Sequence, residues 1–165
     1  MAPTDEPKNE PQFPWHAAYP APKSEAVTIS REEVLQMMKR SSGKGQDEQG
    51  AKMDFVLVDL RRNDFEGGTI RGSINLPAQS LHPTLPTVYS MFKSAGVRQV
   101  IWYCGSSRGR GSRAAGWLAD YLQTVGDTTM KSLALLEGVR GWASAGEQYV
   151  EWMDEYDEAA WSKSG

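Results

Sequence analysis

At 165 residues, with 39% hydrophobic and 24% charged residues, the chain has the length and apolar content of one globular domain with its own core. A formal net charge of −3 gives no electrostatic ground for a nucleic-acid partner. One cysteine and two histidines, His16 and His82, exclude an internal disulfide framework and a zinc cluster, and no apolar run approaches the roughly 18 residues of a membrane span.

Residues 1–25 carry six of the nine prolines among polar residues and read as an extended, largely unstructured arm. Trp15 and Tyr19 are out of place in such an arm, and packing back onto the domain is preferred to docking on a partner. Residues 26–150 form the expected catalytic-size domain, and 151–165 an acidic C-terminal helix or tail. Val27-Thr28-Ile29 is a short strand. Ser30 with Glu33 makes a capping box for a helix ending near Arg40, whose apolar face is Val34, Leu35 and Met38. Ser41 to Lys52 is a polar, glycine-bearing loop. Phe55 to Val58 is an unbroken apolar run, as a parallel strand covered on both faces requires, and it delivers Asp59 at its carboxyl end. Ser73 to Leu76 is a further strand, stopped by Pro77. After Pro86, the spacing of Val88, Met91, Phe92 and Ala95 predicts a helix closed by Gly96.

Val100 to Tyr103 is the next strand, and it ends on the only cysteine, Cys104. A Gly/Ser/Arg loop follows, then a helix over Ala114–Gln123 with Ala115, Leu118 and Leu122 on one face. Leu133 to Leu136 is the last strand and delivers Glu137 and Gly138. Beyond Gly146, Tyr149, Trp152, Tyr156 and Ala160 recur at helical spacing. They predict an amphipathic helix packed on the domain, with a dimer contact through Trp152 or Trp161 as the sharper reading. The alternation implies an α/β fold with a mainly parallel central sheet and helices on both faces. Ligands of such sheets bind beyond the carboxyl ends of the strands, where Asp59, Asn75, Cys104 and Glu137 all fall.

Strand, small-residue loop and helix place main-chain N–H groups and a helix N-terminus around one point, where an anion fits above a thiol. Arginines and a helix N-terminus favour the thiolate, which makes Cys104 a candidate nucleophile. Gly105, Gly109 and Gly111 allow close approach, while Ser106 and Ser107 add hydroxyls. Arg110, with five residues between it and Cys104, can hold two oxygens of a tetrahedral oxyanion. The bland alternatives are an inert buried cysteine and a solvated turn. Asp59 reads either as a general acid or as a carboxylate that pairs with a loop arginine and stiffens the cradle; the second is preferred, since a carboxylate among arginines stays ionised. Arg61, Arg108 and Arg140 can reach an anionic substrate or remain solvated surface charges.

The run from Cys104 to Arg113 resembles the active-site loop of the cell-division-cycle dual-specificity phosphatases and of the fungal arsenate reductases, both of the rhodanese superfamily. Val58-Asp59-Leu60-Arg61 through Gly72-Ser73-Ile74-Asn75-Leu76-Pro77 is similar to the first superfamily signature, and Leu136 to Trp142 to the second. The likeness extends over Val27–Val150. It implies a rhodanese-like fold, Cys104 as nucleophile, Arg110 as oxyanion clamp, and Gly105, Ser106, Ser107, Arg108 and Gly109 as the cradle, with Arg113 at a basic position just after it. Two positions depart from the pattern: Tyr103 stands where a His usually precedes the nucleophile, and Gly109 where a Glu often precedes the arginine.

The expected function is a cysteine-dependent oxyanion enzyme, a phosphatase acting on a phosphoprotein or phosphomonoester, or an arsenate reductase. No bound cofactor or metal is expected. Arsenate reduction would draw on glutathione with glutaredoxin, because the chain has no second cysteine to resolve the adduct. A thiosulfate-type sulfurtransferase and a non-catalytic phosphate-binding module are the alternatives from other classes. No signal-peptide pattern opens the chain, and a reducing compartment, cytoplasm or nucleus, is expected without membrane or nucleic-acid partners.

Overall fold

The computed structural model describes residues 14–43 and 54–162. The first half of the proline-rich arm, most of the Ser41–Lys52 loop and residues 163–165 lie outside the described residues. Five parallel strands form the central sheet in the order β1-β6-β5-β2-β4; these are β1 (Val27–Ile29), β2 (Phe55–Asp59), β4 (Ile74–Asn75), β5 (Gln99–Tyr103) and β6 (Lys131–Leu135). A separate antiparallel pair joins β3 (Thr69–Ile70) to β7 (Met153–Asp154). Both faces of the central sheet are covered, which explains its continuous apolar strands. Val56, Val58, Val100, Trp102 and Ala134 pack in one core with the helices α2 (Leu81–Ser94) and α3 (Arg110–Val125). Leu57, Ile101, Leu133 and Leu135 pack in the other with α1 (Arg31–Gly43) and α4 (Gly138–Ala143). No helix among the described residues is long and apolar enough to cross a membrane.

Element boundaries differ from the sequence reading where glycine or proline stands inside a helix. Helix α2 begins at Leu81, five residues ahead of the proline that the spacing takes as its start. Pro83 falls among the first N–H positions, which have no intrahelical acceptor, so α2 carries only Pro86 as an interior break. Helix α3 begins at Arg110 rather than Ala114, and Gly126 ends it in the left-handed region at φ 71°. The stretch beyond Gly146 is not one amphipathic helix. It divides into α5 (Glu147–Val150), strand β7 and α6 (Glu158–Ser162), because Met153 is taken up by pairing with Ile70. Trp152 and Trp161 both pack against their own domain, and the Trp161 indole N–H donates to the Gly67 carbonyl at 2.9 Å.

The described part of the arm lies against α3. Trp15 and Tyr19 meet the Trp117 ring edge-on at 6.1 and 5.9 Å, and the Trp117 indole donates to the Pro20 carbonyl at 2.9 Å. Asp120 accepts from the main-chain N–H of Lys23 and of Ser24 at 2.8 Å and from the Ser24 hydroxyl at 2.6 Å. Loss of these three bonds in Asp120→Ala should cost about 1–3 kcal/mol in urea unfolding and open Pro20–Glu25 to limited proteolysis.

At the carboxyl end of β2 sits a buried ion pair. Asp59 is fully buried and Arg61 is 2% exposed. The Arg61 Nε and Nη2 donate to the Asp59 carboxylate at 3.0 and 2.8 Å, and the remaining donors reach the carbonyls of Glu66 at 2.9 Å and Gly68 at 2.7 Å. Thr69 donates its hydroxyl to the same carboxylate at 2.8 Å and is hydrogen-bonded to the Tyr103 hydroxyl at 2.8 Å. Asp59→Asn leaves the Arg61 charge buried and unpaired, so it should cost about 3–5 kcal/mol of folding stability by denaturant titration. An unchanged unfolding midpoint with lost activity would instead mark Asp59 as the general acid.

Candidate active site

The loop between β5 and α3 is built around Cys104. The cysteine is 3% exposed. The Ser107 N–H donates to its sulfur at 3.2 Å, and the Cys104 N–H donates to the Ser107 hydroxyl at 3.4 Å. Ser107 adopts a positive φ of 60°, a costly conformation for a residue with a Cβ. It is held there because the Ser112 hydroxyl donates to its carbonyl at 2.7 Å. Gly111 leaves the room for this: a Cβ there would lie 2.9 Å from the Ser107 Cβ and Oγ. The two other loop glycines differ from expectation. A Cβ on Gly105 or Gly109 would meet nothing within 4 Å, so their contribution is an open mouth rather than a tight approach.

A second chain segment clamps the loop from the side. The N–H groups of Val139 and Arg140 donate to the carbonyls of Cys104 and Gly105 at 3.0 and 2.9 Å. Gly138, at φ 58°, makes this approach possible, since a Cβ there would fall 2.4 Å from the Cys104 carbonyl oxygen. Below the loop, the Tyr103 hydroxyl donates to Ser73 at 2.6 Å and accepts from the Ile70 N–H at 3.3 Å. Burial, with the nearby Asp59 charge, pushes the Tyr103 phenol well above its ordinary pKa. Tyr103 therefore stays a neutral anchor of the strand and supplies no acid in place of the histidine.

The sequence-selected residues separate into two groups. Cys104, Gly105, Ser106, Ser107 and Gly109 form one loop, and Arg110 opens the helix that follows it. Arg108 is exposed and, with Ser106, Glu137 and Arg140, lines a cleft of about 680 Å³ on one side of the loop. Asp59, by contrast, is saturated by Arg61 and Thr69 inside the protein, and its arginine partner comes from its own strand end. Arg61 is structural for the same reason. The Arg113 guanidinium lies over the Trp117 ring at 6.0 Å. Asn75 donates to the carbonyls of Asp59 and Arg61 at 2.9 and 2.8 Å, and Glu137 pairs with Arg31 at 2.5 Å. The strand ends thus converge as expected, and Asp59, Asn75 and Glu137 are each engaged with protein partners there. Among the described residues no group of three or more His, Cys, Asp or Glu is placed to hold a metal.

Two site residues escaped the sequence reading. The sequence places Gly138 just past a strand, but its close approach to the Cys104 and Gly105 carbonyls is set by the fold. Asp64 had no signal. Its carboxylate accepts from Arg110 Nη1 and Nη2 at 2.8 and 2.5 Å. The bond to Arg110 is the main reason that the Asp64 pKa falls to about 2, and the same bond raises Arg110, with a smaller contribution from Cys104. The pair is therefore fully charged above about pH 4, the ordinary carboxyl range, and is lost as pH falls towards 2.

The clamp on the loop carbonyls makes a specific demand. Gly138→Ala should displace the Cys104–Gly105 peptide and cost about 2–4 kcal/mol in thermal or urea unfolding. Gly105→Ala, which meets open space, should unfold within about 1 kcal/mol of wild type in the same experiment.

Comparison with known proteins places this geometry. Residues 32–145 match the family model described as the rhodanese-like domain. Arsenical-resistance protein 2 of Saccharomyces cerevisiae is 30% identical over 98 residues, covering 55% of this chain and 75% of that protein. In fold, the chain is similar to Saccharomyces cerevisiae Ygr203w, described as a homolog of single-domain rhodanese and the Cdc25 phosphatase catalytic domain. The TM-score is 0.65 at 22% identity, over 82% of this chain and 91% of that one. The As-Sb reductase of Leishmania major gives a TM-score of 0.56 at 18% identity, over 68% and 72% of the two chains. With the family model spanning more than half of its length, the five-stranded parallel sheet and the cysteine loop belong to a member of the rhodanese-like domain family.

Proposed function

We propose that this protein is a cysteine-dependent enzyme of small tetrahedral oxyanions, with arsenate as substrate and an external thiol as reductant. The observation that carries the reading is the placement of Cys104. Its sulfur lies at the end of a central parallel strand, accepts the Ser107 N–H at 3.2 Å and shares the field of Arg110. Main-chain donors and one guanidinium then surround the charge that develops during in-line attack.

In the reaction, the Cys104 thiolate attacks arsenic, a sulfur–arsenic bond forms, and one oxygen leaves as water after protonation. A thiolate from solution then attacks the Cys104 sulfur, and the sulfur–arsenic electron pair passes to arsenic, reducing As(V) to As(III). The resulting mixed disulfide is reduced by a second thiol. Glutathione with glutaredoxin fits these steps, because the chain has one cysteine and cannot close an internal disulfide. The similarity to arsenical-resistance protein 2 supports this choice. Gly109 carries no acid, Tyr103 is held neutral and Asp59 is buried, so the proton that releases the oxygen as water comes from solvent.

Phosphate monoester hydrolysis through a phosphocysteine is the second reading, favoured by the Cys-x5-Arg spacing itself. Arginines 108 and 140 at the cleft would then face an acidic phosphoprotein or a small phosphomonoester. The test is glutathione- and glutaredoxin-coupled arsenate reduction beside hydrolysis of an aryl phosphate from mildly acidic to neutral pH. Wild type should reduce arsenate; Cys104→Ser should be inactive, and Arg110→Lys slower by about 10²-fold. Aryl phosphate turnover without arsenate reduction would transfer the assignment to a phosphatase. A persulfide on Cys104 after thiosulfate would make it a sulfurtransferase, and anion binding without turnover a binding module.

A further inference from the structure

The cleft beside the loop is larger than a tetrahedral oxyanion needs. At about 680 Å³ it falls in the range of sites for whole small organic molecules, roughly 300–1,000 Å³. Ser106 and Ser107 line it on the loop side, whereas Arg110 and Asp64 do not. An oxyanion held at Arg110 therefore leaves the cleft open to a second reactant. That reactant would lie against the turn that wraps the nucleophile, since the Ser107 N–H meets the Cys104 sulfur at 3.2 Å.

The charges lining the cleft form a definite set. Arg108 and Arg140 are both exposed there, and neither has an ion pair among the described residues. Glu137 gives its Oε2 to Arg31, while its Oε1 accepts no hydrogen bond among the described residues. Leu136, 48% exposed, adds an apolar surface. Two free guanidiniums and one half-used carboxylate suit a ligand with two carboxylates and one ammonium, because each guanidinium can hold a carboxylate by two parallel hydrogen bonds. A tripeptide thiol of the glutathione type carries that set at neutral pH. We propose that this cleft binds the thiol reductant, with Arg108 and Arg140 on its two carboxylates and Glu137 on its ammonium. From there the thiolate attacks the Cys104 sulfur of the arsenic adduct. A sulfur–sulfur bond forms, the sulfur–arsenic bond breaks, and its electron pair reduces As(V) to As(III). The inference rests on the arsenate-reductase reading, and it names the site of the second substrate.

Two measurements test it. S-methylglutathione, which has no thiol to react, is titrated into wild type, Arg108→Gln and Arg140→Gln and followed by amide NMR shifts. Arsenite release in a single turnover is then measured with glutathione and with the uncharged thiol 2-mercaptoethanol. Wild type should bind S-methylglutathione with shifts at Ser106, Glu137 and Arg140, and each variant should bind it about fivefold more weakly. The preference for glutathione over 2-mercaptoethanol, as the ratio of their second-order rate constants, should fall by a similar factor in each variant. No binding to wild type, or binding and preference unchanged in both variants, would overturn the cleft as the thiol site; arsenite release by wild type would then leave the reductase standing. Failure of wild type to release arsenite with either thiol would overturn the reductase reading and the reductant site together.

Discussion

The buried pair between Asp59 and Arg61 is the interaction on which the site depends. Two opposite charges inside an α/β core are stable only when every remaining donor and acceptor is met, and here they are met by the chain around the active-site loop. Arg61 spends its outer donors on the Glu66 and Gly68 carbonyls, so the turn that carries Asp64 is tied to the core. Asp59 accepts from Thr69, and Thr69 meets Tyr103, the last residue of the strand that presents Cys104. One carboxylate thus sets the positions of the strand that ends on Cys104 and of the turn that carries Asp64. This is why an acidic residue at a strand end, in the usual place for an active-site acid, can be structural.

Above that platform, the loop is shaped by backbone contacts more than by its side chains. Ser107 is forced into the left-handed region, Gly111 clears the space beside it, and the 138–140 segment closes on the carbonyls of Cys104 and Gly105. With those carbonyls engaged, the Ser107 N–H is directed at the Cys104 sulfur. The cleft beside it carries Arg108 and Arg140, neither of which has an ion pair among the described residues, so the positive charge of the region extends beyond the loop. The arm adds support from behind: Trp15, Tyr19 and Pro20 gather on Trp117 of the helix that starts at Arg110.

Much of this was legible in the residues. The apolar runs of β2, β5 and β6 announced strands buried on both faces, because burial of a whole strand depends on local composition. The errors came where a local signal had two meanings. Pro86 reads as preceding its helix but lies inside it, since α2 already begins at Leu81. Ser112 and Gly111 read as loop but belong to the first turn of α3. The aromatic stripe after Gly146 has helical spacing, yet pairing of Met153 with Ile70 divides it.

Sequence alone determined the parallel α/β architecture, the single thiol and the arginine that follows it, since periodicity, cysteine count and loop length are properties of neighbouring residues. Only the tertiary structure decided which charges meet. Asp59 ends β2, and Asp64 lies in the turn that follows it. One is buried on Arg61, and the other spans 46 residues to reach Arg110. No spacing rule separates them, because burial and long-range pairing are set by how the turn after β2 folds back over the sheet.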